Sequence, residues 1–132
     1  MSYFHVSVIA PVYKAAIFMT NAVESAIRLE EVGEVILIED GSPDNAIEIL
    51  KKIASENPKV RLYQHQNGEN KGVGAIRNLG IEKSKYEFVA FLDADDWYLA
   101  NRFEEKKALI SKYNDAAGIY GLLVFFIRKK DY

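Results

Sequence analysis

The stretch Phe88-Val-Ala-Phe-Leu-Asp-Ala-Asp-Asp-Trp97 joins an apolar run to three carboxylates, at Asp93, Asp95 and Asp96. The five residues 88–92 are too few for an independent helix and are typical of a strand buried on both faces. The carboxylates therefore follow the carboxyl end of that strand. If the extended geometry continues, Asp93 and Asp95 point to the same side, because side chains alternate along a strand.

This pair of acids has two interpretations. Two carboxylates directed at one point repel each other unless a cation lies between them, and oxygen ligands of this kind suit Mg2+ or Mn2+. Alternatively, Asp95 or Asp96 caps the helix that follows the strand. The spacing alone leaves both interpretations open.

Strand and helix patterns alternate along the rest of the chain. Apolar runs predict strands, and apolar residues at helical spacing predict helices. The strands are predicted at residues 5–10, 34–38, 60–63, 88–92 and 119–127, and the helices at about residues 16–30, 42–56, 73–83 and 99–113. Pro11 is expected to end the first strand, and Gly33 to follow the first helix. The alternation predicts an α/β fold, with a Rossmann-like, mostly parallel sheet flanked by helices.

Composition limits the class of protein. The chain has 132 residues, enough for a single domain with a core of its own. With 17 Lys and Arg against 19 Asp and Glu, its net charge of -2 gives no reason to expect nucleic acid as a partner. It contains no cysteine, no signal-peptide pattern and no transmembrane segment, so a cytoplasmic protein is expected.

Polar residues follow three of the predicted strands. They lie in Pro11-Val-Tyr13, in Asp40-Gly41-Ser42 and in residues 93–96. Open α/β sheets bind ligands at the carboxyl ends of their strands, so all three groups are predicted at one edge. Asp40 is expected to accept hydrogen bonds from a base or a ribose. The alternative is an Asx turn, or a cap for the next helix.

Arg77 is a further candidate for ligand binding. It lies beside the helix face that Ile76 and Gly80 share, so its guanidinium is expected to point toward the sheet. A buried arginine needs an anionic partner. A diphosphate would match the planar guanidinium, and an ion pair with Asp40 or Asp93 would serve equally well.

Four segments together resemble the nucleotide-sugar-binding half of family 2 glycosyltransferases, which have the GT-A fold. The resemblance extends from about residue 6 to residue 107. In order and spacing, the segments that carry it are Val6-Ser-Val-Ile-Ala-Pro-Val-Tyr13, Glu39-Asp-Gly-Ser-Pro-Asp44, Gly74-Ala-Ile-Arg-Asn-Leu-Gly80 and Phe91-Leu-Asp-Ala-Asp-Asp-Trp97.

The resemblance implies inverting, metal-dependent transfer of a sugar from a nucleoside diphosphate sugar, most often a uridine one, to an acceptor hydroxyl. The acceptor would be a saccharide or a lipid-linked molecule, and the setting polysaccharide biosynthesis at the inner face of a membrane. The metal would be Mn2+ or Mg2+. The implied roles are a nucleoside pocket at Pro11 and Tyr13, base binding at Asp40, base or diphosphate contact at Arg77, ribose contact at Asp93 and metal coordination at Asp93 and Asp95.

The chain departs from the family pattern in three respects. Ala75 and Ile76 precede Arg77 where members commonly have two small residues, which leaves the arginine in place. Glu39 stands where many members have Asp, which keeps the acid. The acceptor-binding half and the general base of the family lie beyond the DxD region, so residues 1–132 are expected to form a single donor-binding domain, a fragment that ends shortly after that region. An apolar strand at residues 119–127 would then be left exposed, and pairing of two copies through it is expected.

Two other functions remain open from the sequence. One is an aspartate-dependent phosphotransferase or phosphatase, in which the first Asp of such a motif is the nucleophile. Those sites usually open the domain, whereas this motif follows three earlier predicted strands. The other is a non-catalytic nucleotide-binding module in which the acids only cap helices.

Overall fold

A computed structural model describes residues 5–13, 16–41, 46–64, 72–86, 88–92 and 126–128. Five strands and three α-helices lie in these ranges, and a short 3-10 helix at Ala16–Phe18 leads into the first α-helix. In chain order the elements are β1 (Val6–Val12), α1 (Met19–Ile27), β2 (Val32–Glu39), α2 (Ala46–Glu56), β3 (Val60–Gln64), α3 (Gly72–Lys83), β4 (Phe88–Phe91) and β5 (Phe126–Arg128).

All five strands form one sheet in the order β3-β2-β1-β4-β5. The pairs β1 with β2, β1 with β4 and β2 with β3 are parallel, and only β5 pairs antiparallel, with β4. The predicted mostly parallel α/β sheet is therefore confirmed.

The strand order places the helices on two faces. From β1 to β3 the chain moves steadily in one direction, and it then returns past β1 to form β4. Crossovers between parallel strands are right-handed, so a reversal of direction puts the next helix on the opposite face. Accordingly α1 and α2 pack on one face, and α3 packs on the other. The direction changes between β1 and β4, where open sheets bind ligands.

Two apolar cores result from this arrangement. The larger one joins α1 and α2 to alternate residues of the strands, among them Val8, Leu37 and Ala90. The smaller core lies under α3 and contains Ile9, Ile36, Ile38, Ile76, Ile81 and Val89. Burial on both faces explains the continuous apolar runs at residues 8–12 of β1, 35–38 of β2 and 88–91 of β4.

The prediction that Pro11 ends the first strand is wrong. β1 continues through Pro11 to Val12, which lies opposite Glu39 of β2. The carbonyl of Ile9 accepts from Leu92 on the β4 side, and the carbonyl of Val12 accepts from Asp40 on the β2 side. Successive residues of a strand bond to opposite neighbours, so the nitrogen of Pro11, like that of Ile9, faces β4. The last described pair between β1 and β4 is Ile9 with Phe91, so Pro11 lies past the end of this pairing. The missing N–H therefore interrupts no ladder bond among the described residues.

Gly33 also differs from its prediction as a helix terminator. It lies inside β2, and α1 ends earlier, at Ile27. A Cβ atom at Gly33 would lie 2.3 Å from the ring of Tyr86, which in turn stacks on His5. Position 33 therefore requires glycine because the ring of Tyr86 approaches the backbone there.

A charged network occupies the amino edge of the sheet, the end opposite the polar turns. Glu34 is only 2% exposed. Its Oε2 accepts from the hydroxyl of Ser7 and from the backbone N–H of Lys85, each at 2.6 Å, and its Oε1 accepts from Arg61 at 2.8 Å. Arg61 also bonds the hydroxyl of Tyr63. These bonds satisfy a carboxylate whose burial would otherwise be costly.

Some predictions fall outside the described residues. They are the helix at 99–113, most of the strand at 119–127 and the exposed apolar surface expected there. Within the part of the chain that the structure describes, no helix is long and apolar enough to cross a membrane.

Candidate functional site

The carboxyl edge of the sheet brings three chain segments side by side. Asp40 donates its backbone N–H to the carbonyl of Val12 at 2.9 Å, which extends the pairing of β1 and β2 by one residue. On the other side of β1, Leu92 donates to the carbonyl of Ile9 at 3.0 Å. The end of β1 thus lies between the end of β2 and the end of β4.

Asp40 is a buried acid at this edge, with only 4% of its surface exposed. Alternation along β2 places its side chain on the same side as Ile38, the side that α3 covers. The next residue, Gly41, has a φ of 72°, a left-handed conformation that glycine adopts readily, and β2 ends just before Asp40. Asp40 therefore lies directly after β2, at the rim of the sheet.

Glu39, the last residue of β2, is a second buried acid next to Asp40. It is 3% exposed, and its Oε2 accepts hydrogen bonds from the backbone N–H of Gly41 at 3.0 Å and from the side chain of Gln64 at 3.3 Å. Sequence reasoning treated Glu39 only as a replacement for Asp. The signal that could have revealed it is an acid two residues before a turn glycine, since carboxylates often bond to the backbone at this spacing.

Pro11 and Tyr13 lie at the end of β1. Pro11 is half-buried, whereas Tyr13 is 43% exposed, just beyond the strand. An aromatic ring with this exposure beside a buried acid can stack on a planar ligand. The two residues predicted to line a nucleoside pocket therefore lie at the same edge as Asp40.

Arg77 is exposed, so the prediction of a buried guanidinium is wrong. Ile76 and Gly80 occupy the part of α3 that contacts the sheet, and Arg77 lies to the side of that contact. Its guanidinium carbon lies 5.2 Å from the centre of the ring of Phe91, at the end of β4. The aliphatic part of the side chain reaches the sheet edge while the charge stays in water.

The acids predicted to bind metal, Asp93 and Asp95, lie outside the described residues. Leu92, the residue before Asp93, is described, and its hydrogen bond to Ile9 of β1 places it at the carboxyl edge. Among the described residues alone, no group of three histidines or acids is arranged to hold a metal ion. The predicted site residues that the structure describes at this edge are therefore Pro11, Tyr13, Asp40 and Arg77, the last through its contact with Phe91.

Comparison with protein families identifies the family of the chain. The model for the family described as Glycosyl transferase family 2 matches residues 7–131. The chain belongs to this family. The predicted family is thereby confirmed, and the acidic turns and the arginine lie in the matched segment.

Related glycosyltransferases support the assignment. A glycosyltransferase of Haemophilus influenzae that is described as uncharacterized is 34% identical over 121 residues. The alignment covers 91% of this chain and 47% of the relative. The chain therefore spans about half the length of that protein.

Solved structures confirm the GT-A fold. S. aureus TarS, residues 1–349, solved in complex with UDP-GlcNAc, superposes with a TM-score of 0.69 at 26% identity, over 83% of this chain and 32% of that one. The mannosyltransferase PcManGT of Pyrobaculum calidifontis, solved with GDP-Man and Mn2+, has a TM-score of 0.66 over 80% of this chain and 31% of that one. It is 22% identical, a level at which the likeness shows the fold alone.

Proposed function

We propose that this chain binds the donor of a metal-dependent glycosyltransferase, a nucleoside diphosphate sugar with uridine as the nucleoside. The observation that carries the proposal is the placement of a buried acid and an exposed arginine at the carboxyl edge, next to the point where the strand order reverses. Sheets of this type bind nucleotides at that point. The family membership and the UDP-GlcNAc complex of TarS support the same ligand class.

Asp40 would recognise the base. A carboxylate only accepts hydrogen bonds, so it suits the imide N–H of uracil. Cytosine carries a lone pair at the same ring position and would be repelled. Tyr13 and Pro11, at the end of the neighbouring strand, would line the same nucleoside pocket.

Arg77 would contact the diphosphate or the base. Its guanidinium is held by Phe91 but remains in water, so its donors are accessible to phosphate oxygens. Arginine offers two parallel donors to such oxygens, which makes the contact directional as well as attractive.

Asp93 and Asp95 would hold a divalent cation, Mn2+ or Mg2+, with Asp93 also near the ribose. Carboxylate oxygens are the ligands that both ions prefer, so the donor set fits. The cation would neutralise negative charge on the departing diphosphate. β4 delivers the chain to the carboxyl edge immediately before these acids.

The proposal for residues 1–132 is limited to a single donor-binding and metal-binding domain. Inverting transfer to a hydroxyl of a saccharide or lipid-linked acceptor is proposed for the whole enzyme. No residue of this chain is assigned as the general base.

Calorimetric titration with UDP, with and without Mn2+, tests the proposal. Binding should require the ion and should weaken at least tenfold in Asp95→Ala, which removes a metal ligand. CDP should bind more weakly than UDP to the native chain, and Asp40→Ala should reduce that preference. Tight binding of UDP without metal in both the native chain and Asp95→Ala would disprove the metal site. Failure to bind any nucleoside diphosphate would disprove donor binding.

A further inference from the structure

The turn after β2 holds two acids with different surroundings. Asp40 lies on the α3 side of the sheet by strand alternation, and Glu39 therefore lies on the opposite side. The carboxylate of Glu39 is directed back to the backbone, where it accepts from the N–H of Gly41, and across to Gln64, at the end of β3. Neither donor carries a charge.

These bonds constrain the residue between them. The backbone N–H of Asp40 is held by the carbonyl of Val12, and the next N–H, that of Gly41, is held by Glu39. Both peptide groups of Asp40 are therefore anchored. Gly41 has a φ of 72° and needs such an anchor, because a glycine is otherwise free to choose among several conformations.

We propose that Glu39 is a positioning residue that fixes the direction of the Asp40 carboxylate toward the base of the nucleotide. The inference rests on the proposed function and adds to it a residue that need not touch the ligand. Gln64 is the last residue of β3, so the Glu39 carboxylate also links the carboxyl ends of β2 and β3. Without the Glu39 carboxylate, the Asp40 side chain is still present but loses its fixed direction.

A thermodynamic cycle tests the inference by calorimetry with UDP and Mn2+. Glu39→Ala removes both hydrogen bonds and should weaken UDP binding about tenfold, which is the size expected for losing one or two such bonds. Asp40→Ala should weaken it similarly. In the double variant the loss should match that of Asp40→Ala alone, because there is no longer a carboxylate to direct. Losses that multiply would overturn the inference.

Two further variants distinguish positioning from general damage. An aspartate at position 39 can bond to the N–H two residues on, so Glu39→Asp should keep affinity within about threefold. Gln64→Ala removes only the second bond, from an exposed side chain, and should cause a smaller loss without unfolding the chain. A tenfold loss in Glu39→Asp would contradict the role assigned to the Gly41 bond.

The matched control is Glu34→Gln. Glu34 is the other buried acid of β2, and it lies at the amino edge of the sheet. The substitution should lower thermal stability and leave the Kd for UDP within twofold. If the native chain does not bind UDP, the proposed function fails and this inference fails with it. If the native chain binds UDP and Asp40→Ala has no effect, the role of Asp40 and this inference are both overturned. If Asp40→Ala weakens binding and Glu39→Ala does not, only this inference is overturned.

Discussion

Arg77 shows how an exposed side chain can still be held in place. Its guanidinium carbon lies 5.2 Å from the ring centre of Phe91, and the residue as a whole is exposed. A cation over an aromatic ring at such a site contributes about 0.5–1 kcal/mol, enough to favour one direction of the side chain. The charge remains available to an anionic ligand, which a buried ion pair would prevent.

Replacing Arg77 by lysine should weaken UDP binding about tenfold or more in the presence of Mn2+. Lysine keeps the charge but cannot offer the paired, planar donors that match a phosphate. A hydrogen bond to a charged group is worth about 1.5–3 kcal/mol, which sets the scale of the loss. Calorimetric titration measures the Kd, and the free energy of unfolding should change by less than about 1 kcal/mol.

Lys83 provides the control for this prediction. It lies on the same helix, and its Nζ is 5.5 Å from the ring centre of Tyr63, so it makes the same kind of contact away from the carboxyl edge. Lys83→Ala should affect stability to a similar extent and leave UDP affinity unchanged. A tenfold loss of affinity in Lys83→Ala would show that UDP binding responds to any positive charge on α3, and unchanged affinity in Arg77→Lys would contradict the paired contact assigned to Arg77.

The sequence located Arg77 on the correct helix but not its exposure. Helical spacing gives the angle of a residue around the axis to within a fraction of a turn, and Arg77 lies at the margin of the buried face. At a margin, a long side chain can point either way. Which way it points depends on the position of Phe91 in β4, which is a tertiary contact.

At the scale of elements, α3 approaches the sheet through Gly80. A Cβ atom there would lie 2.5 Å from Cγ2 of Ile9, which is fully buried in β1. The helix can therefore contact β1 closely only because the residue has no side chain. This contact helps to set the height of α3, and with it Arg77, above the sheet.

Gly80→Ala should destabilise the protein by about 1–3 kcal/mol, because an added methyl group in a packed core forces neighbouring atoms to move. Gly74, in the first half of the same helix, is the matched control. A Cβ atom there would meet nothing within 4 Å. Gly74→Ala should therefore stabilise the protein by about 0.5–1 kcal/mol, through helix propensity alone.

Chemical denaturation of the two variants measures both effects. Opposite signs of the change in free energy of unfolding are the expected result. A stabilising effect of Gly80→Ala would mean that α3 can move away from Ile9 without loss of packing.

Elements were predicted well where hydrophobic periodicity determines them, and their ends poorly where a contact does. The apolar residues at helical spacing that predict α1 include Met19, Ala22, Val23 and Ala26, and these are buried in the structure. β1 instead extends past Pro11, because the side of the strand that the proline nitrogen faces is known only once the neighbours are known. Gly33 was misassigned for the same reason, since the ring that approaches it comes from Tyr86.

At the scale of the whole molecule, the sheet has a polar carboxyl edge, where the donor site is proposed, and a polar amino edge, where the Glu34 network lies. The alternation of strands and helices predicted the sheet and the edge at which the polar turns meet. It could not predict the network at the other edge, because Ser7, Glu34 and Arg61 lie in three different strands. Their meeting depends on the order and register of those strands, which no local pattern specifies.

Arg61 is part of this stabilising edge. Burial would lower the pKa of its guanidinium, but hydrogen bonds to Glu34 and Tyr63 together with the charge of Glu34 raise the pKa overall. The guanidinium therefore stays charged wherever the protein is folded. It is the partner of a carboxylate that is 2% exposed, so the stability of the pair depends on both members.

Arg61→Met should lower the free energy of unfolding by about 2–3 kcal/mol, because it leaves the buried Glu34 without its cation while keeping much of the apolar side chain. Arg28→Met is the control. Arg28 bonds only weakly, at 3.3 Å, to the carbonyl of Glu24 in its own helix, at an exposed site, so its loss should cost less than about 0.5 kcal/mol. Chemical denaturation measures both values, and calorimetry should find the Kd for UDP within twofold of the native value in each. A large loss of affinity in Arg61→Met with little loss of stability would reverse the roles assigned to the two edges.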